Sequence, residues 1–335
     1  MASRDLKELI IRIKEIVRRH RLEREGEYCR WLWQDAGGTR ELGLNEYGCA
    51  DAANILYTIG SFIGDPEKRS FWVSALRGLQ DPQSGLFTEP THHPIHTTAH
   101  CVAALELFDA RPLYPLAGLS KYTSEEGLYA LLESLDWEHN PWPQSHQGAG
   151  IYAALTLTDS VEEEWTRNYF EWLWNEADPA TGFWRKNCGG LGKAPLYQHM
   201  AGSFHYLFNH EHAHRPLHYP ERMIDSCLEM YSCGAIGDSF GRRVGFLEID
   251  WVYCLTRASR QTPYRFREIR EALREFAGAY IDYLYSLDSR TDDGMNDLHM
   301  LFGAVCALAE LQQALPGELL SEKPLKLVLD RRPFI

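Results

Sequence analysis

Apolar residues along this chain gather into six dense runs, each opening on a polar residue, at intervals of about fifty residues. The runs are AANILYTIGSF after Asp51, CVAALELF after His100, QGAGIYAALTL after His146, MAGSFHYLF after His199, WVYCLTRA after Asp250 and MLFGAVCALAEL after His299. A run that is apolar on every helical face predicts a buried helix. Between the runs lie charged, amphipathic stretches such as SEEGLYALLESL and RFREIREALREFAGAYIDYLYSL, which predict helices with one face in water. An apolar helix paired with an amphipathic one, six times over, predicts an all-α chain: an (α/α)6 toroid of six helical hairpins. The apolar helices form the inner ring, and their N-termini gather at one mouth. Strand content should be negligible, because no run of period-two alternation is present. The whole of 1–335 reads as a single domain.

Punctuation refines these elements. Residues 4–25 alternate charges through an amphipathic helix and belong to the outer layer, not to a signal peptide. The first inner helix is expected over Asn45–Phe62, and Asp65-Pro66 opens an outer helix ending at Gln80. Asp81-Pro-Gln-Ser-Gly-Leu-Phe and Asp178-Pro-Ala-Thr-Gly-Phe-Trp are near copies, with a weaker echo at Asp288-Ser-Arg-Thr-Asp-Asp-Gly. Each is turn chemistry that stops an outer helix and sends an aromatic residue back toward the mouth. The tail 322–335 is expected to be extended and strapped onto the outside.

Composition narrows the function. Hydrophobic residues make up 44% of the chain, ample for one large core, and the net charge of −13 argues against a nucleic-acid partner. The eight cysteines contain no C-x-x-C pair, which fits a reduced, cytoplasmic protein. No apolar stretch reaches the ~18 residues of a membrane span. The expected partner is a small-molecule substrate, an acidic sugar among the candidates, with no cofactor and no metal assigned.

Candidate chemistry clusters at the mouth. His100, His199 and His299 stand at equivalent points of three repeats, and histidine is the side chain most readily poised for proton transfer near neutral pH. Asp250 and Glu248 are expected to orient them or take part directly. Asp51 and Asp297 serve equally well as helix caps or as site groups. His96 and His100, four apart in a loop that also holds His92 and His93, share one helical face, but no matching spacing completes a metal set. His146, Trp142, Trp184 and Trp251 are candidate substrate contacts, the tryptophans by stacking. Arg243, with Arg185, Lys186 and Arg242 in the long loops, could hold a carboxylate or phosphate. The run His205, His210, His212, His214 and His218 reads as surface.

Two families share short motifs with this chain. Asn296-Asp-Leu-His299-Met-Leu resembles the Asn-x-x-His inner-helix motif of the N-acylglucosamine 2-epimerase-like sugar isomerases, and Phe246-Leu-Glu248-Ile-Asp250-Trp251 resembles their Gly-His-x-x-Glu-x-x-Trp segment. No histidine stands at 246 or 247, and Phe302 replaces the family's usual glutamate. The resemblance therefore implies an acid/base pair of His299 with His199 or His100, acting on a sugar. Gln80-Asp-Pro-Gln-Ser-Gly85-Leu-Phe87 and Asp178 to Trp184 are similar to the glutamine/glycine/aromatic repeat of terpenoid cyclase and prenyltransferase toroids, although their D-x-D-D acid is absent. Asp250, Cys254 and His299 resemble the zinc ligands of protein prenyltransferases, in which Asp and Cys stand one residue apart. The expectation is a carbohydrate-active enzyme: an epimerase or isomerase, or one that cleaves glycosides. The alternatives are a terpenoid cyclase or prenyl-handling enzyme and a non-catalytic ligand-binding toroid. A polar inner wall would favour sugar, and an unbroken aromatic one isoprenoid.

Overall fold

Several helices in this chain begin where a short polar side chain caps them. The computed structural model describes residues 3–187 and 194–335, so Cys188 lies outside the described residues. In chain order the α-helices are α1 (Lys7–His20), α2 (Glu46–Thr58), α3 (Pro66–Gly78), α4 (Pro94–Glu106), α5 (Glu125–Ser134), α6 (Pro141–Leu157) and α7 (Glu163–Glu176). Then follow α8 (Leu196–His212), α9 (Pro220–Cys233), α10 (Leu247–Ser259), α11 (Phe266–Ser286), α12 (Asp293–Asn296), α13 (Leu298–Ala314) and α14 (Val328–Arg331). Asn45 accepts hydrogen bonds from the Tyr47 and Gly48 N–H groups, Asp65 from Lys68, Ser124 from Gly127 and Asp297 from His299. Each satisfies a first-turn donor that the helix cannot. Pro66, Pro94, Pro141 and Pro220 take first-turn positions, where a missing N–H does no harm.

Two kinds of helix result. α4 is buried at every residue from Ile95 to Leu105, and α2, α6, α8, α10 and α13 are nearly as enclosed. α3, by contrast, buries only Trp72 and Leu76, and α1 a stripe of Leu9, Ile13, Ile16, Val17 and His20. The enclosed helices form a cycle: α2 packs on α4, α4 on α6, α6 on α8, α8 on α10, α10 on α13, and α13 back on α2. Amphipathic helices cover them from outside, α1 on α2, α9 on α10, and α11 on α10 and α13. Among the described residues, regular strand is confined to Arg4–Asp5 pairing in parallel with Leu319–Leu320. No helix among them is long and apolar enough to cross a membrane.

The two near-identical loops fold alike. Gly85 and Gly182 have φ of +73° and +78°, and their N–H groups donate to the Asp81 and Asp178 carbonyls. A Cβ at Gly85 would stand 1.9 Å from the Pro115 carbonyl oxygen, so the turn needs glycine. The Phe87 and Trp184 N–H groups then donate to Thr98 Oγ1 and Ser203 Oγ on the following inner helices. Both rings stay buried away from the mouth cavity, contrary to expectation.

Three boundaries also differ. α1 is shorter than 4–25 because Arg4 and Asp5 pair with Leu319–Leu320 and Arg21 bridges Tyr28. α2 ends at Thr58, before the left-handed Gly60, not at Phe62. The tail 322–335 is not strapped outside. It forms α14 and then turns inward, with Arg332, Phe334 and Ile335 buried. Pro333, Phe334 and Ile335 are apolar, and they enter the space that the cycle of small-residue-rich helices leaves along its axis; the Phe334 ring packs beside Gly150 of α6 and Phe208 of α8.

Candidate active site

Side chains one helical turn apart build the mouth. Tyr47 and Asp51 share a face of α2, and His96 and His100 share a face of α4. Asp297 caps α13 and so fixes His299 in its first turn. Arg30 holds Asp297 with two hydrogen bonds of 2.9 Å and lies over the Trp31 and Tyr47 rings, 4.3 and 5.1 Å from their centroids.

Asp51 is the hub. Its Oδ1 accepts from His100 Nε2 at 2.8 Å and its Oδ2 from His299 Nδ1 at 3.0 Å. Burial alone would raise the Asp51 carboxyl, but the two imidazoles outweigh it and hold the group well below the usual carboxylate range. Desolvation lowers His299 to about 4 in spite of Asp51, and lowers His100 as well. At neutral pH the cluster is thus a carboxylate between two neutral imidazoles. An ionised carboxylate can only accept, so both rings donate to it. His299 is therefore protonated at Nδ1 and carries its lone pair at Nε2.

His299 also lines a cavity of about 250 Å³, with His92, His96, Trp142, His146, His205, Arg243 and Phe246. Val244, Gly245, Met300 and Ile335 complete the wall. His205 is pinned much as His299 is: the Ser145 hydroxyl donates to the Trp142 carbonyl at 2.7 Å, so His205 Nδ1 donates to Ser145 Oγ at 2.8 Å and leaves Nε2 bare. Tyr47 Oη meets His96 Nδ1 at 2.6 Å. Burial holds His96 and His146 far below the ordinary imidazole range and takes His205 to about 3. The wall is thus largely neutral imidazole, with the guanidinium of Arg243 as its permanent charge.

Asp51, His100 and His299 also form a group whose candidate ligand atoms lie within 4.8 Å of one another. Both Asp51 oxygens are already matched to an imidazole N–H, and the Arg332 guanidinium bears on the same carboxylate. The donor set fits a hydrogen-bonded ion cluster better than a cation site.

The structure brings together part of what the sequence proposed. Asp51, His100 and His299 meet directly, while His96, Trp142, His146 and Arg243 line the cavity. His199 does not join them: its Nδ1 lies 3.2 Å from the Trp184 carbonyl, and its Nε2 is buried without a partner among the described residues. Trp184 donates through Nε1 to Leu173, and Trp251 to Cys227 among Tyr231, Phe240 and Phe276. Both are packing residues. Asp250 is fully buried with neither oxygen partnered among the described residues, and burial raises it well above the carboxylate range. Glu248 accepts from the Gly241 N–H and stands 3.6 Å from Arg243, so it steers that arginine from outside the cavity. Asp297 serves as cap and as partner of Arg30. Arg185 pairs with Glu133 and Glu176 instead of reaching the mouth.

The surface reading of the histidine run fails at its first members, because His205 and His210 are buried within α8. His205 belongs to the cavity, and the signal for it was its place on the apolar side of that helix. Arg30, Tyr47 and Phe246 had no spacing signal of their own. Compared with known proteins, the chain matches no family model, no curated protein and no solved structure.

Proposed function

We propose that the protein is a six-hairpin (α/α)6 toroid enzyme that transfers a proton on a small carbohydrate, with His299 as the base. The closed cycle of six enclosed helices supports the toroid. One observation carries the chemistry: Asp51 holds His299 by Nδ1 while the same ring lines the cavity. In that arrangement Nε2 takes a proton from the carbon beside a sugar carbonyl. The C–H electron pair becomes the new carbon–carbon double bond, and the carbonyl π pair moves onto oxygen. Arg243 stabilises that oxyanion, and Asp51 stabilises the imidazolium. Return of the proton to the former carbonyl carbon, with the proton of the adjacent hydroxyl passing to the oxyanion, gives an isomer; return to the original carbon after the enediolate has turned its other face to His299 gives an epimer.

The wall supports the substrate class. Bare imidazole nitrogens on His299 and His205 are acceptors suited to hydroxyl donors, and Trp142 and Phe246 offer faces to a sugar ring. Five imidazoles and a guanidinium favour a sugar over an isoprenoid. No carboxylate lines the cavity among the described residues, which favours chemistry beside a carbonyl over glycoside cleavage by paired carboxylates.

The test is solvent exchange. Aldoses, ketoses and uronates are incubated with the protein in D₂O and followed by NMR. The wild type should place deuterium on the carbon next to the carbonyl of one sugar class. Asp51→Asn and His299→Gln should each slow this by about 10²–10⁴-fold, and a chelator should leave it unchanged. A thermal shift with a sugar but no exchange would leave a binding protein. A shift confined to isoprenoid diphosphates would overturn the carbohydrate reading.

A further inference from the structure

A buried cation without a counter-ion calls for a reason. Arg332 is fully buried, and among the described residues none of its three guanidinium nitrogens has a hydrogen-bond partner. Its guanidinium carbon lies 5.7 Å from the Phe302 ring centroid on α13. The groups bearing on it come from three helices: Asp51 of α2, Cys101 and Glu106 of α4, and Cys306 of α13. The residues after it reach the same place. Asn209 Nδ2 on α8 donates to the Pro333 carbonyl at 2.8 Å, the Phe334 ring meets the His96 ring at 5.0 Å, and Ile335 lines the cavity beside His100. Residues 332–335 therefore lie against the Asp51 cluster from inside the ring.

We propose that Arg332 is a positioning residue of the site: it supplies the positive charge that keeps Asp51 ionised between His100 and His299. Asp51 is sealed from water; His100 and His299 oppose its protonation by their charge only once they are themselves protonated, and as neutral rings near neutral pH they give it hydrogen bonds alone. Arg30 is committed to Asp297 and Glu89, and it bears on His299. Arg332 has no such commitment. Burial lowers it to about 10, with Asp51 the first of the groups opposing that fall, so it stays charged at neutral pH. With Asp51 ionised, His299 keeps its proton on Nδ1 and its lone pair on the cavity side. Arg332 itself touches no substrate. Its use rests on the proposed acid–base reading; its test does not.

The test is histidine ring NMR on the full chain, wild type against Arg332→Lys and Arg332→Met, between about pH 4.5 and 8. Besides Arg332, the charged or titratable groups facing the cluster are Tyr47, His92, His96, His146, Arg30, Cys101, Glu106 and Cys306. None of these is altered in the variants. The wild type and the lysine variant should keep His100 and His299 neutral, each in one tautomer. In Arg332→Met the cluster should take up a proton with a midpoint raised by about one pH unit or more, and the fixed tautomers should be lost. A folded Arg332→Met with wild-type tautomers and titration overturns the proposal. Should Arg332→Met not fold, the double variant Arg332→Met/Asp51→Asn decides, because neutralising Asp51 should restore folding if the two charges answer one another. Failure of that rescue also overturns it. No sugar enters either measurement, so its result and that of the exchange assay stand apart.

Discussion

Tying one imidazole nitrogen to a fixed partner decides what the other can do. His299 and His205 are both tied through Nδ1, one to a carboxylate and one to a hydroxyl, and both line the cavity. His199 is tied as well, to the Trp184 carbonyl, but its far nitrogen ends in the packed interior. His205 and His199, both on α8, should therefore behave differently when removed. His205→Ala should weaken binding of the sugar found by exchange by about tenfold, as expected for one lost hydrogen bond at about 1–1.5 kcal/mol. His199→Ala should leave affinity unchanged and lower unfolding free energy by about 1–3 kcal/mol. Calorimetric titration and urea unfolding check the pair; a folded His199→Ala that no longer binds would contradict the assignment.

At the scale of elements, α13 is where capping and site geometry depend on one residue. Asp297 caps the helix, pairs with buried Arg30 and sets the turn that presents His299. Asp297→Ala should cost about 3 kcal/mol, since it takes two charge-assisted hydrogen bonds from a buried guanidinium that keeps only Glu89 and Thr91. Asp65→Ala, an exposed cap on α3, should cost about 1 kcal/mol. Equal costs in urea unfolding would show that the Arg30 pair contributes nothing. The same helices show how far the sequence could be read. Each apolar run lies in an enclosed helix because apolarity on all faces has one physical outcome in water. Phase within the run was harder. Counting by the repeat makes His199 the equivalent of His100 and His299, but the register at the mouth puts His205 there instead. Trp184 and Trp251 could not be told from stacking residues, because their indole N–H groups find main-chain carbonyls that no spacing reveals. The inward turn of Arg332 to Ile335 was invisible for a similar reason: four residues without periodicity say nothing about a vacant axis.

For the whole molecule, the buried histidines make stability depend on pH. His299 and His205 titrate near 4 and 3 when folded, and at the ordinary imidazole value when unfolded. Below about pH 6.5 the unfolded chain binds protons that the folded chain refuses, so stability is full above that value and falls as the pH drops toward 4. Each such histidine contributes a slope of about 1.4 kcal/mol per pH unit. Urea unfolding across this window should show the decline, and His205→Asn should flatten it; a midpoint independent of pH from 6.5 to 4.5 would refute it. The closing contact of the ring has a consequence in time. Asp51 and His299 are 248 residues apart in sequence. At about 5–20 residues per second, a ribosome takes on the order of ten to fifty seconds to travel from one to the other. Throughout that interval the early helices can pack on one another, but Asp51 has no His299 to hold. The acid–base pair proposed above therefore cannot exist until the last inner helix has been made and docked, and a chain truncated before His299 would lack it altogether.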